Sequence, residues 1–550
     1  IVDEFTHDGS TYSFTSSKSI GSGSTVDVDF GEVSTRSVTV NGSEWNVSLG
    51  TSSDGFKLIG SIEQLQSIRD NQADYRLISD VNGSSLSSFN TLFSEPSENI
   101  FSNIDSGELD SDYNAFTGSF DGNGYTVSNL DISETTTNTG VIGETFKSNI
   151  YNVNFADISI QGERNVSLIP IAVSSNIKNI TISNVDVTGT QVVGVLHSDY
   201  VNTSSSATTY LRDISASNIS VKSTGGQTGG LVGRVGIALN STTFKIENIT
   251  VSGNVELSGT ISTSEKALGG VIGKVNSGFR VLPSEAPVIS DITSTVDVTE
   301  AENIDSDSVS SSGVGGLIGL SDAEVLIKNS KATGDINSIE GNNGVFIGSV
   351  ISEKTIIKDS YATGSIDGDF SGGFVGANEG TIENSYATGS VTGSSTAGGF
   401  AGGVEGIIKE SYSTGSVLNN GSENTGGFAG AVAQGGLVEN SYTTSDTSGG
   451  STVGGFVGLI GTSSEINMSY SAGSVSDGSS MGGFAGKEDT TNTNTNNYWN
   501  IDVTGQSTSP VGTGLSDSEM KGSSASSNLT GFDFSGTWET NSDGYPNLQD

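Results

Sequence analysis

The sequence predicts an all-β protein: a parallel, right-handed β-helix, or solenoid, with an N-terminal β domain and end caps. The prediction rests on a recurring phrase, on the β-prone runs inside it, and on its regular step. The clearest copy is residues 372–376, Gly-Gly-Phe-Val-Gly, followed by residues 381–391, Thr-Ile-Glu-Asn-Ser-Tyr-Ala-Thr-Gly-Ser-Val. A constant step with a constant apolar skeleton is typical of a repeat array. Successive copies place their second glycine 26, 28, 28 and 28 residues apart, at Gly373, Gly399, Gly427, Gly455 and Gly483.

Each repeat favours short strands and excludes helix. Its runs alternate apolar with small or polar residues, which is the period of a strand with one buried face. A glycine at every third or fourth position would cost a helix up to about 1 kcal/mol each, whereas Gly, Asn and Ser suit tight turns. One coil has room for two or three short strands at about 3.3 Å per residue. A single coil cannot bury its apolar face, so the coils are expected to stack.

Stacked coils predict two aromatic ladders, one of phenylalanines and one of the tyrosines in the Ser-Tyr pairs. The crossover rule for parallel strands favours a right-handed winding. The glycines are interpreted as sharp-turn residues, because a phosphate-binding glycine loop needs a following helix and usually a lysine, and neither is present. The ladder residues are Phe374, Phe400, Phe428, Phe456 and Phe484, and Tyr361, Tyr386, Tyr412, Tyr442, Tyr470 and Tyr498.

The charge balance is extreme. Of 550 residues, 63 are acidic and 22 are basic, for a formal net charge of -41. Such a chain repels nucleic acid and anionic membranes, so neither is expected as a partner. The scattered acids favour a surface adapted to very high salt, where charges are screened within about 3 Å at 1 M, and hence a haloarchaeon or another halophile. The alternative is an acidic, calcium-binding extracellular protein.

Other features of the composition indicate export. The chain has no cysteine, which excludes disulfides, thiol catalysis and thiolate metal sites. No apolar stretch approaches the about 20 residues that span a bilayer, so no membrane insertion is expected. The chain begins at Ile1, and we expect that a targeting segment has been removed. An exported glycoprotein is favoured by twelve Asn-x-Ser/Thr sequons, at Asn41, Asn46, Asn82, Asn165, Asn179, Asn202, Asn218, Asn240, Asn248, Asn420, Asn467 and Asn528.

Five regions are predicted along the chain. A terminal segment such as residues 11–14 either pairs within its own chain or completes a neighbouring subunit's sheet. Long insertions such as residues 202–208 and 301–312 are expected to be surface loops, and they are the favoured places for recognition. The regions are 1–57, an N-terminal β-strand domain or extension; 58–135, a helix-containing cap with the first coils; 136–315, irregular coils with long loops; 316–490, regular repeats of about 28 residues; and 491–550, a C-terminal cap.

Local patterns predict a few further elements. Residues 61–69 form a helix pattern with Ser61 placed as its N-cap, and residues 75–81 read as a strand. The Asp-Gly and Asn-Gly steps at 121–124 fit a tight turn between strands. A short helix is expected within residues 515–520.

The recurring Gly-Gly-Phe-Val-Gly with its Asn-Ser-Tyr-Ala-Thr-Gly-Ser-Val partner resembles the GLUG motif of bacterial and archaeal surface proteins. The lead-in at residues 62–68 and 116–125 and the ending from Asn497 to Pro546 are also similar to that family. The resemblance covers about residues 58–550. It implies an extracellular β-helical module found in adhesins, cell-surface glycoproteins and non-catalytic parts of some secreted peptidases, and it implies no catalytic residues.

Catalytic and metal-binding patterns are sparse. The only histidines are His7 and His197, neither in a recognisable Ser-His-Asp arrangement, and no His-Glu-x-x-His zinc motif occurs. Paired carboxylates hydrolyse glycosides, so a secreted β-helical polysaccharide lyase or glycoside hydrolase is the alternative function. A cofactor is not expected, apart from a weak case for calcium, which takes hard oxygen ligands. The calcium candidates are Asp305 with Asp307, and the cluster Asp105, Glu108, Asp110 and Asp112.

Together these features predict an exported, extracellular, cell-surface solenoid without enzymatic activity, serving as a structural or adhesive element. We expect it to self-associate into a filament or surface layer, by head-to-tail contacts or by N-terminal strand donation. Other cells or surface glycans are the second class of partner. The sequence does not name an adhesion ligand.

Overall fold

The computed structural model shows three parallel sheets wound into one solenoid. The long sheet has 31 strands, and two corner sheets have 12 strands each. The structure describes residues 52–93, 114–135, 137–203, 208–237, 244–258, 265–277, 286–300, 311–489 and 492–549, and the backbone of residues 4–7, 12–15, 37–40, 43–46, 104–105 and 108–109.

Each coil passes through the three sheets in the same order. A short strand of the first corner sheet leads through a glycine-rich corner into the second corner sheet, and the chain then crosses the long sheet. Consecutive coils pair in parallel, as at Ile177 with Leu211 and at Gly372 with Gly398. The predicted parallel β-solenoid is therefore confirmed, while its right-handed winding stays a prediction. Twelve coils cross all three sheets, and the long sheet continues past them at both ends, from Lys57–Ile59 to Thr513–Leu515, for sixteen levels in all. At about 4.8 Å per level the stack is roughly 70 Å long.

The strand bounds follow this path. The first corner sheet contains Asn138–Thr139, Asn165–Val166, Val192–Val193, Gln227–Gly229, Glu265–Gly269, Ser311–Gly315, Asn342–Gly344, Phe370–Gly372, Ala397–Gly398, Asn424–Gly426, Thr452–Gly454 and Ser480–Gly482. The second corner sheet contains Glu144–Phe146, Ile171–Val173, His197–Asn202, Val232–Ile237, Ile272–Ser277, Ile318–Asp322, Ile347–Val350, Val375–Asn378, Ala401–Val404, Ala429–Val432, Val457–Ile460 and Ala485–Glu488. The long sheet contains Lys57–Ile59, Tyr75–Leu77, Val81–Asn82, Ser119–Asp121, Thr126–Ser133, Asn149–Gln161, Asn176–Gly189, Thr209–Ser223, Phe244–Leu257, Val288–Glu300, Leu326–Lys328, Lys331–Ala332, Ile336–Asn337, Ile356–Lys358, Tyr361–Ala362, Ile366–Gly368, Thr381–Glu383, Tyr386–Ala387, Val391–Gly393, Ile407–Lys409, Tyr412–Ser413, Val417–Asn419, Leu437–Glu439, Tyr442–Thr443, Thr447–Gly449, Glu465–Asn467, Tyr470–Ser471, Val475–Ser476, Thr493–Thr495, Tyr498–Asn500 and Thr513–Leu515.

The long sheet changes character half-way along the rod. Early coils cross it in one strand of 13 to 15 residues, whereas later coils cross it in three short strands. Val288–Glu300 joins the two halves, because it pairs with all three short strands of the next coil. The regular repeats therefore have five strands each, and the prediction of two or three is wrong. The first break falls at a left-handed residue, such as Asn384 with φ 53°, a conformation that asparagine tolerates better than most residues. The same column is left-handed in the unbroken early strands, as at Asn248 with φ 56°, so it is a shared kink of every coil.

Glycine is required where the two corner sheets meet. A Cβ on Gly372 would lie 2.0 Å from the carbonyl oxygen of Val375 and 2.6 Å from the backbone nitrogen of Gly402. The two arms of the corner thus pack backbone to backbone, which no larger residue permits. This confirms the interpretation of the repeat glycines as sharp-turn residues.

The phenylalanines of the repeat stack inside the coils. Ring centroids lie 4.9 Å apart between Phe374 and Phe400 and again between Phe400 and Phe428, with the rings within 3° of parallel. The ladder extends to Phe456 and Phe484 at 4.8 Å per step, and it also includes Phe346. All of these rings are fully buried. The predicted ladder is confirmed, and it forms the axis of one continuous hydrophobic core.

The chain's own residues cover both ends of the stack. At the N-terminal end, helix α1 (Ile62–Gln66) buries Ile62 and Leu65 against the first coils. Its predicted N-cap is confirmed, since Ser61 Oγ accepts a hydrogen bond from the Gln64 N–H at 3.3 Å. At the other end, Ser509 Oγ accepts from the N–H groups of the last coil.

Three short helices follow the last coil, and small hairpins lie outside the stack. The helices are α2 (Ile501–Thr504), α3 (Asp517–Met520), which confirms the helix expected there, and α4 (Gly522–Asn528). Among the described residues, no helix combines the length and apolarity needed to cross a membrane. The antiparallel pairs are Glu4–His7 with Tyr12–Thr15, Ser37–Val40 with Ser43–Asn46, Ile104–Asp105 with Glu108–Leu109, and Trp538–Glu539 with Asn547–Leu548.

One local prediction needs correction. The strand expected over 75–81 is two strands, Tyr75–Leu77 and Val81–Asn82, each pairing with a different strand of the next coil. The tight turn expected at 121–124 is present, since the Tyr125 N–H donates to the Gly122 carbonyl at 2.8 Å between two strands. Both flanking strands pair in parallel with Asn149–Gln161, so the turn is a kink within one coil face. The loops predicted at 202–208 and 301–312 lie largely outside the described residues.

Candidate functional site: the outer face of the long sheet

The Ser-Tyr pairs place serine inside the solenoid and tyrosine outside, because successive side chains of a strand point to opposite faces. Ser385 is buried, and its hydroxyl donates to the Glu383 carbonyl at 2.9 Å. The same hydroxyl accepts from the backbone N–H of Ser360 in the preceding coil at 3.4 Å. Tyr386 is half-buried on the outer face. In each pair, the serine therefore supplies hydrogen bonds to backbone groups of the turn, and the tyrosine lies on the outer surface.

The tyrosines form a second ladder on this outer face. Rings from Tyr361 to Tyr470 stack at 4.9, 5.0, 4.8 and 5.1 Å, within 9° of parallel. Tyr498 ends the ladder with its ring edge-on to Phe532 at 5.7 Å. Each inner ring has both faces covered by its neighbours. At Tyr386, Tyr412 and Tyr442 the ladder therefore presents ring edges and hydroxyl groups, with no open ring face on which a sugar could stack.

The C-terminal segment, residues 517–549, covers one half of the tyrosine ladder. Trp538 is fully buried, with its ring centroid 6.0 Å from that of Tyr442 and 5.8 Å from that of Tyr470. The Tyr470 hydroxyl donates to the Pro546 carbonyl at 2.6 Å, and Trp538 Nε1 donates to Asn440 Oδ1 at 3.2 Å. Burial raises the pKa of Tyr442 well above its usual range. These contacts form a second hydrophobic cluster outside the solenoid.

The other half of the ladder is open, with Tyr361 and Tyr386 half-buried, whereas Tyr412 packs against the C-terminal cluster. Beside it runs a column of alternating charges, in which Lys358 pairs with Glu383 at 2.7 Å and the next two members pair at 2.9 Å. Exposed pairs of this kind add little stability, about 0–1 kcal/mol each. The open half is thus a flat strip of ring edges, hydroxyls and balanced charge, suited to contact with another surface.

A second candidate site is a charged cluster on the corner sheets. The Arg234 guanidinium donates two hydrogen bonds to the Asp199 carboxylate, and Lys274 Nζ lies 2.7 Å from a carboxylate oxygen of Glu265. Asp322 is close enough to feel both of these charges. Burial raises the pKa of its carboxyl, the positive charge of Lys274 lowers that pKa, and the negative charge of Glu265 raises it. Three carboxylates and two cations are thus brought together, the combination that the enzyme hypothesis requires. Both cations are engaged by carboxylates, and Asp199 and Lys274 are buried.

The most deeply buried charges have a structural role. Glu300 is buried and accepts hydrogen bonds from Lys266 Nζ at 2.6 Å, Ser338 Oγ at 2.7 Å and the Ile339 N–H at 2.9 Å. Lys266 also donates to the Glu340 carbonyl at 2.7 Å. A fully satisfied pair of this kind fixes the local packing, and neither charge is accessible to a ligand.

The side chains of the calcium candidates lie outside the described residues. The backbones of Asp105 and Glu108 lie opposite each other in a two-stranded hairpin. Their side chains, and all of Asp110, Asp112 and the 305–307 loop, lie outside the described residues. Within the described ranges, no group of three or more His, Asp and Glu side chains is arranged to hold a metal ion.

The sequons differ sharply in accessibility. Asn82 and Asn420 are exposed, and neither amide nitrogen donates to another described residue. Asn202 is fully buried and Asn467 is 9 % exposed. The side chains of Asn41, Asn46 and Asn240 lie outside the described residues, whereas the amide nitrogens of Asn165, Asn179, Asn218, Asn248 and Asn528 donate hydrogen bonds to neighbouring residues.

The histidines form no catalytic group among the described side chains. His197 is fully buried in the second corner sheet, where its Nδ1 lies 2.9 Å from the Ile169 carbonyl oxygen. Burial lowers the pKa of His197 to about 4, so the ring is neutral at pH 7. The side chain of His7 lies outside the described residues.

Comparison with known proteins supports the motif assignment. Residues 371–392 match the GLUG motif. The predicted resemblance is confirmed over that repeat. Halomucin from Haloquadratum walsbyi (strain DSM 16790 / HBSQ001) is 29% identical over 174 residues, which are 30% of this chain and 2% of Halomucin. The chain thus spans a very small part of that relative.

One solved structure also aligns with the chain. It is a provisionally assigned immunoglobulin A1 protease from Bacteroides ovatus, with 16% identity and a TM-score of 0.26. The alignment covers 67% of this chain and 79% of that protein.

Proposed function

We propose that this chain is an exported, non-enzymatic element of the cell surface, a rigid β-solenoid that serves as a structural and adhesive rod. The supporting observation is the uninterrupted stack of twelve coils, whose ladders of Phe and Tyr repeat without a break from Phe346 to Phe484 and from Tyr361 to Tyr470. A stack of this kind holds its two ends at a fixed separation. The match to a haloarchaeal protein and the net charge of -41 favour a very saline environment.

Of three possible contacts between copies of the chain, two would require part of the fold to move. Covered ends disfavour head-to-tail pairing of sheet edges, because α1 and the loop around Ser509 would have to move first. Strand donation would require Tyr12–Thr15 to leave its pairing with Glu4–His7. Lateral contact along the open half of the tyrosine ladder needs neither change. Lateral contact between rods is therefore the favoured mode of self-association.

The test combines location with electron microscopy. Antibody labelling of intact cells should place the chain on the envelope, and purified protein should appear as rods about 70 Å long, single or side by side. Deleting residues 1–20 should leave these assemblies unchanged. Loss of assemblies on that deletion would instead establish strand donation, and a cytoplasmic location would refute the surface role.

The rival function is a polysaccharide lyase or hydrolase, and the charged cluster around Lys274 is the observation that favours it. Glycoside hydrolysis uses two carboxyl groups, one with a raised pKa, and Asp322 with Glu265 fits that description in part. Incubation of the chain with acidic and neutral polysaccharides should release no reducing or unsaturated ends. Cleavage that Asp322→Asn abolishes would establish the rival function.

A further inference from the structure

The outer face of the early coils carries a small polar cleft that no predicted site includes. The cleft is about 260 Å³ and is lined by Ser119, Asn149, Tyr151, Asn176, Lys178 and Tyr210. These residues come from four consecutive coils of the long sheet. The cleft therefore exists only in the folded stack.

The register of the coils explains the shape of the cleft. Ser119, Asn149 and Asn176 occupy one column of the sheet, and these short side chains form the floor. Tyr210 follows Asn176 in that column, while Tyr151 and Lys178 occupy the next column. The longer side chains therefore rise as walls around a polar floor.

The lining is cationic in a strongly anionic protein. It contains one lysine and no acidic residue, while the whole chain has a net charge of -41. Lys178 Nζ lies 5.3 Å from the ring centroid of Tyr151 and forms no ion pair with a described residue. Two acids lie at the edge of the cleft: Asp121 is paired with Arg76 at 2.9 Å, and Asp74 accepts a hydrogen bond from the Ser119 N–H at 2.7 Å. An anionic group is therefore the ligand that this lysine can accept without displacing a partner.

The remaining groups suit a sugar. Asn176 Nδ2 donates to Asn149 Oδ1 at 3.2 Å, and Asn176 Oδ1 accepts from the Tyr210 N–H at 3.3 Å, which fixes both amides on the floor. The second N–H of each amide and the Ser119 hydroxyl remain to bind ligand hydroxyls. Tyr151 and Tyr210 stack on no other tyrosine, because their columns carry other residue types before and after them. A cation lies over each ring instead, Lys178 over Tyr151 at 5.3 Å and Arg212 over Tyr210 at 4.5 Å, so their ring edges are what a ligand would meet.

We propose that this cleft binds one acidic sugar residue of a polysaccharide, with the carboxylate or sulfate on Lys178. The volume lies just below the about 300 Å³ at which sites for whole small molecules begin, so it accepts one ring of a longer chain. The two tyrosines contact the apolar edge of the ring, and the floor amides bind its hydroxyls. This inference deepens the adhesive part of the proposed function by naming the class of glycan.

The test uses the full chain with an oligogalacturonate and its methyl-esterified counterpart, by titration calorimetry and saturation-transfer NMR. The acidic form should bind, and esterification should weaken binding about tenfold because it removes the charge-assisted contact. Lys178→Gln should cause a similar loss, and Tyr210→Leu should also weaken binding. The matched control is Lys328→Gln, since Lys328 lies in the same column four coils away and outside the cleft. The Lys328→Gln variant should bind the acidic oligogalacturonate with an affinity within about twofold of the unsubstituted chain.

Each outcome is decisive because the substitutions point outward and should leave the circular dichroism spectrum unchanged. Equal binding of the ester, equal loss in the Lys328→Gln variant, or no saturable binding would overturn the inference. Envelope location is measured in parallel on the Lys178→Gln variant. Normal location without glycan binding would leave the surface role intact, and a mislocated chain that still binds would overturn the surface role alone.

Discussion

The corner glycines allow a sharp test of the fold. An alanine Cβ at Gly398 would lie 1.9 Å from the Ala401 carbonyl oxygen and 2.6 Å from the Gly430 backbone nitrogen. Since Cβ atoms essentially never approach within 3.0 Å, the two arms of the corner would have to separate by at least about 1 Å. Overpacking of this kind typically costs about 1–3 kcal/mol. Reduced freedom of the unfolded chain offsets about 0.4–1 kcal/mol, so Gly398→Ala should lower the free energy of unfolding by about 1–2 kcal/mol.

The same coil supplies the matched control, Gly403→Ala. That position is occupied by alanine in both neighbouring coils, at Ala377 and Ala431. An added Cβ would meet only the end of the Phe370 side chain, at 2.8 Å, and a side-chain end can move. The free energy of unfolding should therefore change by less than about 0.5 kcal/mol.

Hydrogen exchange measured by mass spectrometry is the appropriate assay, because solenoids open locally and their stability is a sum over neighbouring repeats. Peptides within residues 397–430 should exchange faster in Gly398→Ala, while peptides within residues 150–190 should keep their protection. Urea unfolding gives the total loss. Equal effects of the two substitutions, or a neutral Gly398→Ala, would refute the close packing of the corner arms.

Phe400→Ala should cost about 3–5 kcal/mol because it opens a cavity in the inner ladder, and Phe400→Leu should cost less, since earlier coils use aliphatic residues there; urea midpoints compare the two. Acidification from pH 7.5 to 4.5 should destabilise the chain, because the buried His197 with its pKa of about 4 stays neutral while the unfolded state takes up a proton. His197→Val should remove about 2–3 kcal/mol of that pH dependence, measured by unfolding at both pH values. Trp538→Ala should release the C-terminal segment, so that limited proteolysis removes it while the coils stay intact. Glycopeptide mass spectrometry of the native protein should find glycan on the exposed Asn420 and none on the buried Asn202.

The regular repeat length made the fold predictable, because in a solenoid residues that lie one repeat apart in the sequence are neighbours in adjacent coils. The step from Gly373 to Gly399 indicated both the stacking of coils and the alignment of their aromatic residues, and the ladders of Phe374 and Tyr386 confirm this. The sequence did not show that one ladder is internal and the other external. A signal was present, because Tyr386 is followed by the small Ala387, and strand alternation sends only one of two neighbours inward.

The candidate sites were beyond sequence reasoning for a different reason. Asp199, Arg234 and Lys274 meet because they occupy one column, although 35 and 40 residues separate them in the chain. The spacing between early coils varies with the length of their loops, so no fixed period aligns these positions. The same holds for Tyr151, Lys178 and Tyr210, which meet from two adjacent columns of the early coils. In the regular repeats, where the period would have revealed such columns, the outer positions form the tyrosine ladder and the column of alternating charges.

The C-terminal segment shows what the outer tyrosine ladder can bind. A C-terminal cap was expected over residues 491–550, and its last part, residues 517–549, lies along the side of the rod, with Trp538 against Tyr442 and Tyr470. These contacts use the hydroxyl of Tyr470 and the edge of its ring, the same kinds of group that Tyr361 and Tyr386 leave half-exposed. A partner for the open half should therefore present an aromatic side chain and backbone carbonyl groups. A second copy of the rod, whose own ladder offers only edges and hydroxyls, would bind there more weakly than a segment resembling residues 530–548, and a synthetic peptide of that segment should compete with lateral association.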